Sequence, residues 1–189
     1  MIYFSLSSID KPMEEIMNVF DTIQASPQAE KTLSGAVGLL MTAKRIFCTG
    51  AGRSGLLTRM FAMRLAQAGF AVHCVGDATT PSIEKDDVLC IVSGSGGTPS
   101  MKILVEKAKK IDARILLLTY SADSLLADMA DVSMVLPIPM ENGNIQSDQR
   151  LGTLFDQCAM ITLDIVADAL ASAKGVTDEE MQARHANLE

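Results

Sequence analysis

The chain has 189 residues, 48% of them hydrophobic and 21% charged, which suits one globular domain with a full core and not a disordered segment. Its net charge of −7, from 23 acids against 16 bases with no Lys/Arg cluster, lacks the basic footprint that non-specific nucleic-acid binding requires. No apolar run approaches the roughly 20 residues of a membrane span, and residues 1–6 lack the basic start of a signal peptide.

Helical spacing of Met13, Ile16, Met17, Phe20 and Ile23 predicts a first helix from Asp10 to Gln24. Ser26-Pro27 is an N-cap followed by proline at the first helical position, opening a second helix to about Ala43. These two helices, residues 1–43 of the chain, pack on the core or on another subunit. An α/β core over residues 44–137 follows. Strands are predicted at 45–49, 70–75, 88–92, 114–119 and 132–136, with helices at 56–67, 99–111 and 124–129 between them. A long apolar helix at 151–171 and a short one opened by the capping box Thr177-Asp178-Glu179-Glu180 make up a C-terminal part, residues 151–189. Strands alternating with helices give a single α/β domain, a doubly wound parallel sheet with helices on both faces and its ligand at the carboxyl ends of the strands.

Cys48, Cys74, Cys90 and Cys158 lie in apolar segments without a C-x-x-C pair, so they read as buried free thiols in a reducing cytosol. With only His73 and His185, a His-rich metal site is not indicated. His73 alternates within a strand and reads as structural. Glu84, Asp86 and Asp87 read as a solvated acidic turn, and Arg59 and Arg64 as surface or interface ion pairs.

Two glycine-rich turns carry the chemistry. After the third strand comes Ser93-Gly94-Ser95-Gly96-Gly97-Thr98-Pro99-Ser100, in which Thr98 is a candidate N-cap and Pro99 suits the first helical position. Backbone amides at the positive end of a helix, with the Ser93, Ser95 and Thr98 hydroxyls, form a cradle for a phosphate monoester. After the first strand comes Gly50-Ala51-Gly52-Arg53-Ser54-Gly55, which satisfies G-x-G-x-x-G, and Asp77 stands just past the second strand, so a dinucleotide enzyme competes. Arg53 and Ser54 place a cation and a hydroxyl inside that turn, which suits a discrete anion or a sugar hydroxyl better than a pyrophosphate. Two such turns on neighbouring strand tips suit a small phosphorylated sugar.

The run 49–55, the following Phe61-Ala62-Met63-Arg64-Leu65, the segment 78–83, Ser93-Gly94-Ser95-Gly96 and the ending around His185 resemble sugar isomerase (SIS) domains, most of all the 6-phospho-3-hexuloisomerase family. That resemblance implies a flavodoxin-like sheet of five parallel strands and a cytoplasmic homotetramer or dimer with sites between subunits. It implies interconversion of D-arabino-3-hexulose 6-phosphate and D-fructose 6-phosphate, with neither metal nor organic cofactor. Ser93, Ser95 and Thr98 would hold the phosphate and Gly52, Arg53 and Ser54 the sugar. Asp156, where the family has the longer Glu, would be the base, and His185 a proton shuttle in its own or a neighbouring site. Gly97 stands where an acid usually follows the Ser-Gly-Ser-Gly run. Moving a carbonyl between adjacent carbons needs one base and donors that stabilise the enediolate, here Arg53 and backbone amides. The alternatives are another sugar-phosphate isomerase, for pentose or heptose phosphates, and a sugar-phosphate sensor that needs no base.

Overall fold

The computed structural model describes residues 9–188; the expectation for residues 1–6 lies outside them. Five parallel strands, β1 (Ile46–Gly50), β2 (Val72–Cys74), β3 (Val88–Val92), β4 (Arg114–Thr119) and β5 (Val132–Val135), form one sheet in the order β2-β1-β3-β4-β5. The order reverses at β1, so the turns leaving β1 and β3 lie side by side, with Gly50 in register with Val92. β3 is buried along its whole length, which is why it reads as an unbroken apolar run rather than an alternating one.

One face of the sheet is covered by α2 (Pro27–Met41), α3 (Arg53–Gln67) and α6 (Thr153–Lys174), with α1 (Asp10–Gln24) packed against α2 and α6. Their contribution to that core includes Leu40, Phe61, Leu65, Phe155 and Leu163, each at most 2% exposed. The other face carries α4 (Pro99–Lys109) and α5 (Leu125–Met129) through Met101, Val105 and Leu126. The β2–β3 connection has no helix, and Ile83 packs there instead. α1 and α2 do pack on the core, Val19 and Leu39 being buried, and leave Met13 and Met17 exposed on the outer side. Among the described residues no helix is long and apolar enough to cross a membrane.

Three expectations need correction and one element is additional. The helix after β1 begins at Arg53 and not at Leu56, so Arg53 and Ser54 stand in its first turn. The long helix begins at Thr153, because Leu151 adopts a left-handed conformation at φ 57° that cannot continue a helix. A hairpin of β6 (Met140–Glu141) and β7 (Asn144–Ile145) was not foreseen, although Asn142-Gly143 with positive φ at both residues is a strong short-hairpin signal. Asp87 does not belong to a solvated turn: its side chain is fully buried and takes Nε and Nη2 of Arg45 at 3.1 and 2.6 Å, and the amide of Glu84 at 2.7 Å. That hydrogen-bonded pair raises the Arg45 guanidinium above its ordinary value. The final helix α7 (Asp178–Ala183) carries the capping box read from the sequence, with both reciprocal bonds made.

Candidate functional site

The β1 turn is built for close approach. A Cβ on Gly55 would meet the carbonyl oxygen of Gly50 at 2.6 Å, and one on Gly50 would meet backbone of Ser54 and Gly55 at 2.8–2.9 Å. Between them Gly52 takes φ 58° and ψ −132°, a conformation open in practice to glycine alone. The result seats the first turn of α3 directly on the tip of β1 and projects Arg53 from the helix start. A cation at that end opposes the helix dipole, so its position calls for an anionic partner. That partner is Asp156, in the first turn of α6, whose Oδ2 accepts Arg53 Nε at 2.6 Å. The Asp156 side chain is 9% exposed and that of Arg53 65%. Oδ1 of the carboxylate is left without a partner among the described residues.

The β3 turn is held from beneath. Thr119 Oγ1 donates to Gly94 O at 2.7 Å, Leu126 N donates to Gly96 O at 3.0 Å, and Gly96 takes φ 61° directly against Ser124. Thr98 stands at the N-cap of α4, but its hydroxyl bonds Ser93 Oγ at 3.1 Å and not a helix amide. The amides of Ser95, Thr98 and Ser100 therefore donate to nothing among the described residues. Ser93 is buried beneath this turn, whereas Ser95 is exposed on it with its Oγ accepting from Gly97 N at 3.3 Å. Gly96→Ala is expected to lower stability by about 2 kcal/mol, since it combines a left-handed residue with a clash on Ser124. Thermal denaturation with and without inorganic phosphate checks this, and loss of the phosphate-induced shift is expected along with the lower midpoint.

α6 joins the two turns. A Cβ on Gly94 would lie 3.3 Å from the Phe155 ring, so Phe155 packs against the β3 turn while its neighbour Asp156 grips the β1 turn. Tyr120 closes the contact edge-on to Phe155 at 5.4 Å between ring centroids. A cleft of about 220 Å³ opens on the β2 side of the β1 turn, lined by Cys48, Thr49, Gly52, Leu56, Arg59 and Cys74. Neither Ser93, Ser95 and Thr98 nor Arg53, Ser54 and Asp156 line it; on the β3 turn Ser95 is exposed, Thr98 half-buried and Ser93 buried. Asp77, the acid a dinucleotide reading would place on a ribose, is paired with Arg59 at 2.6 Å. Burial pushes the Cys158 thiol, further along α6, up to about 11, which keeps it protonated at neutral pH.

The sequence pattern of the SIS domain matches residues 39–162, two strand-tip turns and the start of α6 included. The chain belongs to the SIS domain family. It is 44% identical over 147 residues to a 3-hexulose-6-phosphate isomerase of Mycobacterium gastri, covering 77% of this chain and 74% of that one. It is 40% identical over 156 residues to a protein of the same name from Methylomonas aminofaciens, covering 81% and 85%. The crystal structure of a hypothetical protein of Methanococcus jannaschii, for which a function of 3-hexulose-6-phosphate isomerase is inferred, superposes with a TM-score of 0.85 at 32% identity, over 97% of this chain and all of that one.

This SIS domain brings Gly52, Arg53, Ser54 and Asp156 together, with Ser93, Ser95 and Thr98 on the adjoining turn. His185 is elsewhere. Arg184 Nη1 donates to Gln67 O at 3.0 Å, at the end of α3 remote from Arg53. A 15-residue helix spans about 21 Å, so within one chain His185 does not reach Asp156; its Nδ1 lies 3.0 Å from Ala186 O. Among the described residues no group of three or more His, Cys, Asp or Glu is placed to hold a metal. The supports at Thr119, Ser124, Tyr120 and Phe155 were missed from sequence, because each is an ordinary residue until the fold sets it under a turn.

Proposed function

We propose that this SIS domain interconverts D-arabino-3-hexulose 6-phosphate and D-fructose 6-phosphate. The observation that carries the reading is the reach of consecutive residues on α6, Phe155 to the phosphate-type turn and Asp156 to the Arg53 turn. The relatives named for this isomerisation, at 37–44% identity over most of the chain, support it. The phosphate binds the free amides of the β3 turn and the Ser95 and Thr98 hydroxyls. Arg53 and Ser54 hold the sugar near the carbonyl. Asp156 takes the proton from C2 of the 3-ketose, leaving a 2,3-enediolate whose negative charge, on O3, faces Arg53 and backbone amides. A proton passes from O2 to O3, and the proton held by Asp156, or one exchanged from water, returns to C3 while C2 becomes the carbonyl of fructose 6-phosphate. Atoms and charge balance without an external oxidant.

His185 then serves an adjacent site, supplied by a second copy of the chain, where it moves protons between the substrate hydroxyls. That requires an oligomer with sites at the contacts between copies. Incubation with D-fructose 6-phosphate tests the function. Accumulation of the 3-ketose phosphate is expected, whereas binding of the sugar without conversion would contradict the proposal and leave a sensor.

A further inference from the structure

A second acid far from Asp156 in sequence is bound up with how Asp156 is presented. Glu15 lies in the second turn of α1, and its carboxylate reaches the segment that leads into α6. Oε1 accepts the amide of Asp148 at 2.7 Å; Oε2 accepts Ser147 Oγ at 2.7 Å and Gln149 Nε2 at 3.1 Å. Lys11, one turn earlier on the same helix, pairs with Asp148 at 2.6 Å. Burial raises the Glu15 carboxyl, but the three hydrogen bonds outweigh it and hold the group below the ordinary carboxylate range.

Immediately beyond this clamp the backbone is strained. Leu151 sits at φ 57°, a left-handed conformation that a residue with a Cβ disfavours, and it is 92% exposed, so burial does not compensate. On its other side α6 is already fixed. Arg150 O accepts Thr153 Oγ1 at 2.7 Å, and Gly152 O accepts the amide of Asp156 at 3.0 Å. Both ends of a three-residue link are therefore pinned, and the turn at Leu151 is what closes it.

We infer that Glu15 is a positioning residue: by holding residues 147–149 it keeps Leu151 left-handed, and so sets the direction from which the first turn of α6 presents Asp156. The inference rests on the isomerase reading for its catalytic consequence, though not for its structural one. Glu15→Gln keeps the size of the side chain but gives up acceptors that the clamp uses. Misplacement of a reacting group by a fraction of an ångström is expected to lower kcat about tenfold, with KM within about twofold of the parent protein. Glycine adopts the left-handed conformation without strain. Adding Leu151→Gly to Glu15→Gln is accordingly expected to recover most of the lost kcat, a rescue that a merely structural role of Glu15 would not give.

Steady-state kinetics of the parent, Glu15→Gln and the double variant test this, together with amide hydrogen exchange over residues 150–156. Exchange is expected to be faster in Glu15→Gln and to return toward the parent rate in the double variant. Parent-like kcat and exchange in Glu15→Gln, or a double variant no better than the single, would overturn the inference. Should the parent protein convert no hexulose phosphate, the isomerase reading fails and the exchange pattern alone decides for or against the clamp.

Discussion

Asp156→Asn is expected to lower kcat on the order of 1,000-fold while leaving the affinity for D-fructose 6-phosphate within a few-fold, in line with the contribution of a positioned general base. Asparagine matches aspartate in shape, and its amide oxygen can still accept Arg53 Nε, so the α3–α6 contact at this point is kept. What it cannot do is receive a proton. Arg53 loses an ionic partner, but at 65% exposure water solvates it, and little change in thermal midpoint is expected. Turnover together with calorimetric binding reads both quantities. Unchanged turnover would move the base to another residue, and loss of binding in step with turnover would make Asp156 a structural ion-pair partner only.

The largest expected effect on stability lies at the opposite, amino-terminal end of the central strand β3. Asp87→Ala removes a fully buried carboxylate that holds two nitrogens of Arg45 and the amide of Glu84. Breaking such a pair from one side costs about 3–5 kcal/mol, because the remaining charge stays partly buried with only the exposed Glu84 carboxylate, 3.3 Å away, as counterion. The Arg45 side chain keeps 19% exposure, which favours the lower end of that range. For a domain of this size a loss of about 3 kcal/mol lowers the thermal midpoint by roughly 10 °C. Scanning calorimetry measures it, and a change under about 2 °C would show that Glu84, the Ser82 carbonyl and solvent satisfy Arg45 without Asp87.

These two residues also show what the sequence can and cannot disclose. The five strands, their order of appearance and the α7 capping box are written in local pattern: apolar runs, glycine punctuation, Thr177 three residues before Glu180. Gly50, Gly52 and Gly55 were legible as a turn, because close backbone approach at Gly50 and Gly55 and the backbone conformation of Gly52 leave no alternative residue. Asp87 was not legible, since an acid beside Glu84 and Asp86 looks solvated until Arg45, 42 positions away, is folded against it. The link between Arg53 and Asp156 spans 103 positions and has no local signature; family resemblance alone drew attention to Asp156. Thr98 was read as a helix cap because of its place before Pro99, whereas the fold offers its hydroxyl a nearer partner in Ser93. Glu15 and the strained Leu151 gave no signal, for neither residue type is unusual where it stands.

Two strand-tip turns gripping a phosphorylated sugar, with Asp156 moving hydrogen between its second and third carbons, can be examined in one measurement. The protein is incubated with D-fructose 6-phosphate in deuterated water, and NMR identifies the carbon that acquires deuterium. Label at C3 of fructose 6-phosphate is expected, accompanied by the 3-ketose phosphate labelled at C2. Label at C1, or neither label nor 3-ketose, would contradict it.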